Sequence, residues 1–132
     1  MSTKSFNGKS IFVQIAAISG FLAVALGAFG AHCLKTSLTP AMMDVYQTAV
    51  FYHFIHTLVL LLVAVLMQLK WGQSTALQVS AWALVAGLLI FSGSLYTLSV
   101  TGIKVLGAIT PIGGIAFIIA WLTLFWAAYK AS

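Results

Sequence analysis

Three histidines and a set of hydroxyl side chains carry most of the chemistry open to this chain. His53 and His56 stand three residues apart, close in direction on a helix, and His32 could join them from a neighbouring helix end. Such imidazoles are the donor type of a zinc or haem site, and a histidine pair titrating near neutral pH is also a proton-responsive device. The one carboxylate of the chain, Asp44, lies outside that grouping. No established four-ligand spacing is present either, so no resident metal or other cofactor is expected. The plainer expectation is mutual hydrogen bonding, with Tyr52, Ser92, Ser94, Tyr96 and Thr110 as partners of the imidazoles, because a polar group withdrawn from water must be paired. Ser92-Gly93-Ser94 has the composition of a nucleophile elbow but sits in an apolar run with no Asp partner. Gly113-Gly114 lacks the strand and Lys of a phosphate loop. The chain is therefore expected not to be an enzyme.

The elements that position these residues follow from hydropathy. Of the 132 residues 62% are hydrophobic and 5% charged, far below the roughly 25% of a water-facing domain, so lipid must be the solvent. Four runs are long enough to cross a hydrocarbon core, which needs about 20 helical residues. They cover about 10–31, 49–69, 77–100 and 105–129. The fold class is thus all-α: an integral membrane bundle of four transmembrane helices in a single domain, 1–132. The first run exceeds the apolar region of a cleaved signal peptide and is read as a helix. Thr39-Pro40 predicts a capped helix start, with 41–48 as a polar lead-in at headgroup level. Residues 70–74 predict a turn, and Pro111 predicts a kink near the start of the fourth helix.

A net charge of +5 raises the question of nucleic acid, but six lysines dispersed from Lys4 to Lys130 make no phosphate-tracking patch. They are placed instead to orient a bilayer protein. Four spans put both termini on the side of Lys4, Lys9, Lys70 and Lys130, against Lys35 and Lys104 opposite, so the termini are expected in the cytoplasm. Trp71, Trp82, Trp126 and Tyr129 read as an interfacial aromatic belt, and the lone thiol of Cys33 as filler.

Helices in lipid associate through close fit, which favours small residues at contacts. Ala16, Gly20, Ala23, Gly27 and Ala31 form one such stripe, and Gly113, Ala116, Ala120 and Ala127 another; Gly30, Gly93 and Gly114 are further packing candidates. Placed by depth, His32, Tyr52, His53, His56, Ser92, Ser94, Tyr96 and Thr110 converge in one polar layer in the outward half of the bundle. His56 is expected to face the interior and bond the third or fourth helix, within reach of Ser92, Ser94, Tyr96 or Thr110.

Four segments in order, GAFGAH at 27–32, YHFIH at 52–56, LLIFSGSLY at 88–96 and TPIGG at 110–114, resemble the family of domain of unknown function 423, of the UPF0382 type. The resemblance covers nearly the whole chain and implies four helices in a bacterial inner membrane. It implies no substrate or catalytic residue. The expected function is a non-enzymatic accessory or scaffold subunit that binds a membrane-protein partner, a lipid or a hydrophobic cofactor. Its partners would be the lipid bilayer and a membrane protein or a second copy, and not nucleic acid. Transport of a small solute or ion by an oligomer is the alternative.

Overall fold

Thr39 and Pro40 begin a helix in the manner their chemistry dictates: the Thr39 hydroxyl accepts from the Met42 amide at 3.2 Å, and Pro40 occupies the first position, where its missing N–H is no loss. The same device, unforeseen, starts the third span, where the Ser74 hydroxyl accepts from the Leu77 amide at 3.4 Å. The computed structural model describes residues 9–69, 71 and 74–132, with the side chains of Lys9 and Ser10 excepted. Expectations placed on Lys4, Lys70, Gly72, Gln73 and the Lys9 side chain lie outside the described residues.

Among the described residues the chain is helical, with no strand. Helix α1 (Lys9–Phe29) runs into a π-helical turn (Gly30–Leu34); α2 is Pro40–Leu66; α3 (Thr75–Gly87) continues through a second π turn (Leu88–Ser92) into α4 (Gly93–Thr101); α5 is Leu106–Ala131. These make four helices long and apolar enough to cross a bilayer: Ile11–Leu34, Pro40–Leu66, Thr75–Thr101 and Leu106–Ala131. Gly102, at φ +72°, closes α4 in the left-handed conformation that glycine adopts without penalty, its N–H on the Leu98 carbonyl. Pro111 lies inside α5, which begins five residues earlier at Leu106, so Thr110 does not cap a new helix.

α1 packs along α2, α3 packs most intimately on α5, and α4 touches both α2 and α5. Leu60, Val63, Ala64, Leu77, Ala81 and Leu84 are fully buried and fill the half of the bundle nearest the α2–α3 connection. Ser80 is buried among them and donates to the Ala120 carbonyl at 2.8 Å, while His53, Ser92, Ser94 and Tyr96 lie farther from that connection. Large apolar side chains such as Phe21, Leu89 and Phe125 are 66–72% exposed, the outer surface of a bundle solvated by hydrocarbon.

Glycines set the closest approaches. A Cβ on Gly113 would strike the backbone N and Cα of Phe91, so α5 crosses the second π turn main chain to main chain. A Cβ on Gly87 would enter the Phe117 ring, and one on Gly30 the Tyr46 ring. Gly20, Gly27 and Gly114 make only ordinary contacts, the nearest at 3.5–3.8 Å. Gly93 is a correction to the packing expectation: nothing lies within 4 Å of its Cβ position, so no helix needs the space. Ala31 is likewise exposed while Gly30 is buried, because the π turn rotates the end of the small-residue stripe away from α2.

Candidate functional site

The expected single polar layer resolves into separate clusters. At 100° per residue, His53 and His56 point about 60° apart around α2, enough to send them to different neighbours. His53 faces α1 and α4. Its Nδ1 lies 2.9 Å from the Tyr96 hydroxyl and its Nε2 3.0 Å from the Ser19 hydroxyl, which in turn lies 2.6 Å from that of Thr57. Either direction of donation satisfies this chain. If Tyr96 donates to Nδ1, the ring donates to Ser19 and Ser19 to Thr57, leaving the Thr57 hydrogen over. If Thr57 donates first, Ser19 donates to Nε2, the ring donates to Tyr96, and the Tyr96 hydrogen is left over.

His56 faces α5, and its geometry admits one tautomer. The Tyr52 carbonyl can only accept, so Nδ1–H donates to it at 2.9 Å; the Trp121 indole N–H can only donate, and Nε2 accepts it at 3.2 Å. The imidazole is held neutral by those two partners and stacks on Phe117 with ring centroids 3.7 Å apart. His56 does bond the fourth span, but through Trp121, not Ser92, Ser94, Tyr96 or Thr110. The direction set by helical phase overrode the match in depth.

Ser94 and Thr110 form the third cluster, joining α4 to α5 at 2.6 Å; one hydroxyl donates to the other, which donates in turn to a carbonyl of its own span, Ser94 to Phe91 or Thr110 to Leu106. Tyr52 is 38% exposed and contributes its ring, tilted on Phe91 at 4.6 Å, more than its hydroxyl. His32 is exposed on the first π turn, and its membership of the layer is corrected: it stands two residues from the end of its span at Leu34, while His53 is central in α2. Among the described residues no group of three or more His, Cys, Asp or Glu side chains gathers as a metal set. Both ring nitrogens of His53 and of His56 are already engaged, so a chelate at these two residues would have to break one hydrogen bond at each ring.

Ser19, Thr57 and Trp121 are the participants that sequence reasoning missed. Each carried a signal. Ser19 sits on the Ala16–Ala23 face, Thr57 stands four residues after His53 on the same side of α2, and Trp121 lies deep in a span, away from the belt positions of the other tryptophans. Tyr46 was assigned to a headgroup-level lead-in. Its side chain is buried within the bundle, donates to the Leu26 carbonyl at 2.5 Å, and rests edge-on against Tyr96.

Beside the His53 cluster lies a cleft of about 340 Å³ between α1 and the third span, floored by α2. Ile18, Leu22, Leu88 and Leu89 form its apolar walls, and Ser19, His53, Ser92 and Tyr96 line its base. Ser92 is 2% exposed, and its hydroxyl is the one buried side-chain N or O among the described residues with no hydrogen-bond partner.

Residues 26–114 match the model of a family described as "Protein of unknown function (DUF423)". The chain belongs to this family. DUF423 relatives include the UPF0382 membrane protein YwdK of Bacillus subtilis, 47% identical over 91% of this chain and 97% of its own length. A UPF0382 membrane protein of Haemophilus influenzae is 39% identical over 93% and 97% respectively, and one of Staphylococcus aureus 41% over 91% and 96%. No solved structure matches. These relatives and the four apolar helices make this DUF423 chain a multi-pass membrane protein, as the four motifs implied. The matched residues contain His53, His56, Ser92, Tyr96 and Thr110, while Ser19 and Trp121, which complete two of the clusters, fall outside them.

Proposed function

We propose that this chain is a non-enzymatic accessory protein of the bacterial inner membrane that holds one lipophilic molecule in the cleft between α1 and the third span. The observation that supports it is the pairing of apolar walls, open to the bilayer, with a buried polar base in which one hydroxyl has no partner. Unpaired buried hydroxyls cost about 1–3 kcal/mol, and a bound molecule offsets that cost. A volume near 340 Å³ lies at the small end of ligand sites, enough for one ring or one chain segment. Native mass spectrometry after gentle detergent extraction is expected to find a stoichiometric small molecule on the protein. A monodisperse particle free of lipid and of any other ligand would sink the reading.

The lysine distribution supports an orientation with both termini cytoplasmic. Reporter fusions active on one side only are expected to place Lys130 in the cytoplasm and Lys35 and Lys104 outside. A C-terminus found outside would reverse the assignment.

A further inference from the structure

We infer that the cleft takes an uncharged carbonyl compound of the quinone type, a flat ring bearing carbonyl oxygens on a long hydrocarbon chain. This rests on the binding reading above and adds the ligand's chemistry. The cleft has hydrogens to donate. Ser92 has an unspent O–H, and Tyr96 has one whenever His53 donates to it, through the second of the two hydrogen-bond orders. Ser92 and Tyr96 are four residues apart on one helical face and line the same cleft, so both can offer a hydrogen to a ligand held there. No charged residue lines the cleft, which fits a neutral ligand.

Depth selects among neutral carbonyl compounds. His53 is the central residue of α2, about 20 Å from either end at 1.5 Å per residue, and Ser92 lies about 14 Å from the end of its span at Thr101. Both are therefore near the middle of the bilayer. Phospholipid ester carbonyls sit at the edge of a hydrocarbon core about 30 Å thick, roughly 15 Å from that level. A ring carbonyl on a membrane-soluble chain reaches it. Ile18 and Leu89, 62% and 72% exposed, flank the lateral entrance, and the space at Gly93 gives room beside Ser92.

The test uses the full chain in nanodiscs, titrated with decylbenzoquinone and followed by quenching of tryptophan fluorescence, with decylbenzene as the chain lacking an acceptor. Saturable binding of the quinone is expected, about tenfold weaker in Ser92→Ala, the loss of one hydrogen bond. Decylbenzene affinity should be the same in both proteins. Gly93→Leu, whose Cβ would meet no neighbour and whose longer side chain would enter the cleft, should abolish saturable binding without lowering the melting temperature. Quinone binding that is non-saturable, or insensitive to Ser92→Ala or to Gly93→Leu, overturns the quinone assignment. If a co-purified lipid is nevertheless lost in Gly93→Leu, the binding reading survives that failure. If wild-type protein holds neither quinone nor lipid, both fall together.

Discussion

Gly113→Ala is expected to destabilise the bundle by about 3 kcal/mol, whereas Gly114→Ala, one residue along, is expected to be neutral or slightly stabilising. The contrast follows from what each new methyl meets. At Gly113 it would collide with the N and Cα of Phe91, main-chain atoms of the π turn that cannot rotate aside, so α5 and the third span must separate. Overpacking of this kind costs about 1–3 kcal/mol where side chains can give way, and a backbone obstacle places the change at the top of that range. At Gly114 the nearest atoms are Phe91 ring carbons at 3.8 and 3.9 Å, an ordinary contact, and alanine is the better helix former. The separation of the helices would also pull Ser94 from Thr110, breaking the hydrogen bond between them and leaving each hydroxyl the carbonyl of its own span. Unfolding of the two variants in mixed micelles by SDS titration, read by circular dichroism, measures the difference. Equal stabilities for Gly113→Ala and Gly114→Ala would mean that the close crossing at Phe91 does not exist.

His53→Ala is expected to cost about 2–4 kcal/mol and to loosen α1 from the rest of the bundle. The imidazole bonds α1 and α4 at once, through Ser19 and Tyr96, and its removal leaves both hydroxyls without that partner in a medium where water cannot replace it. Interhelical hydrogen bonds in membranes each contribute about 0.6–2 kcal/mol, so the loss of two, together with the cavity left by the ring, accounts for the range. A double-mutant cycle with Tyr96→Phe isolates one bond. Coupling of about 1 kcal/mol is expected for His53 with Tyr96 and none for His56 with Tyr96, since His56 is turned toward Trp121. Additive effects in the first pair would remove His53 from the cluster.

The contrast between those two histidines shows where sequence reasoning ran out. Both were legible as buried and paired, because the energetic demand on an imidazole in lipid is independent of which neighbour meets it. Their partners were not. Depth along a helix can be counted from its ends, but the neighbour a side chain meets depends on its phase around the axis and on which helices stand beside it. Depth judged from the sequence put His32 in the same layer as His53, yet it is exposed on the π turn, two residues from the end of its span. Phase alone would have separated His53 from His56. Neither consideration announces Trp121, whose long side chain reaches His56 beside Phe117, a ring seated against the third span where Gly87 leaves room.

The amino-acid sequence alone established that this is a four-helix membrane protein and that Thr39 and Pro40 start the second helix. These are local or summed properties: free energies of transfer add along a chain, and a cap needs only its own first turn. The tertiary structure alone decided that Gly113 is indispensable at its crossing while Gly93 is not, that the polar residues divide into clusters, and that Ser92 is left unpartnered beside a cleft. The physical reason is that packing and hydrogen bonding are pairwise and directional. The sign of each such contact is set by a neighbour from another helix, whose position no single segment of the chain contains.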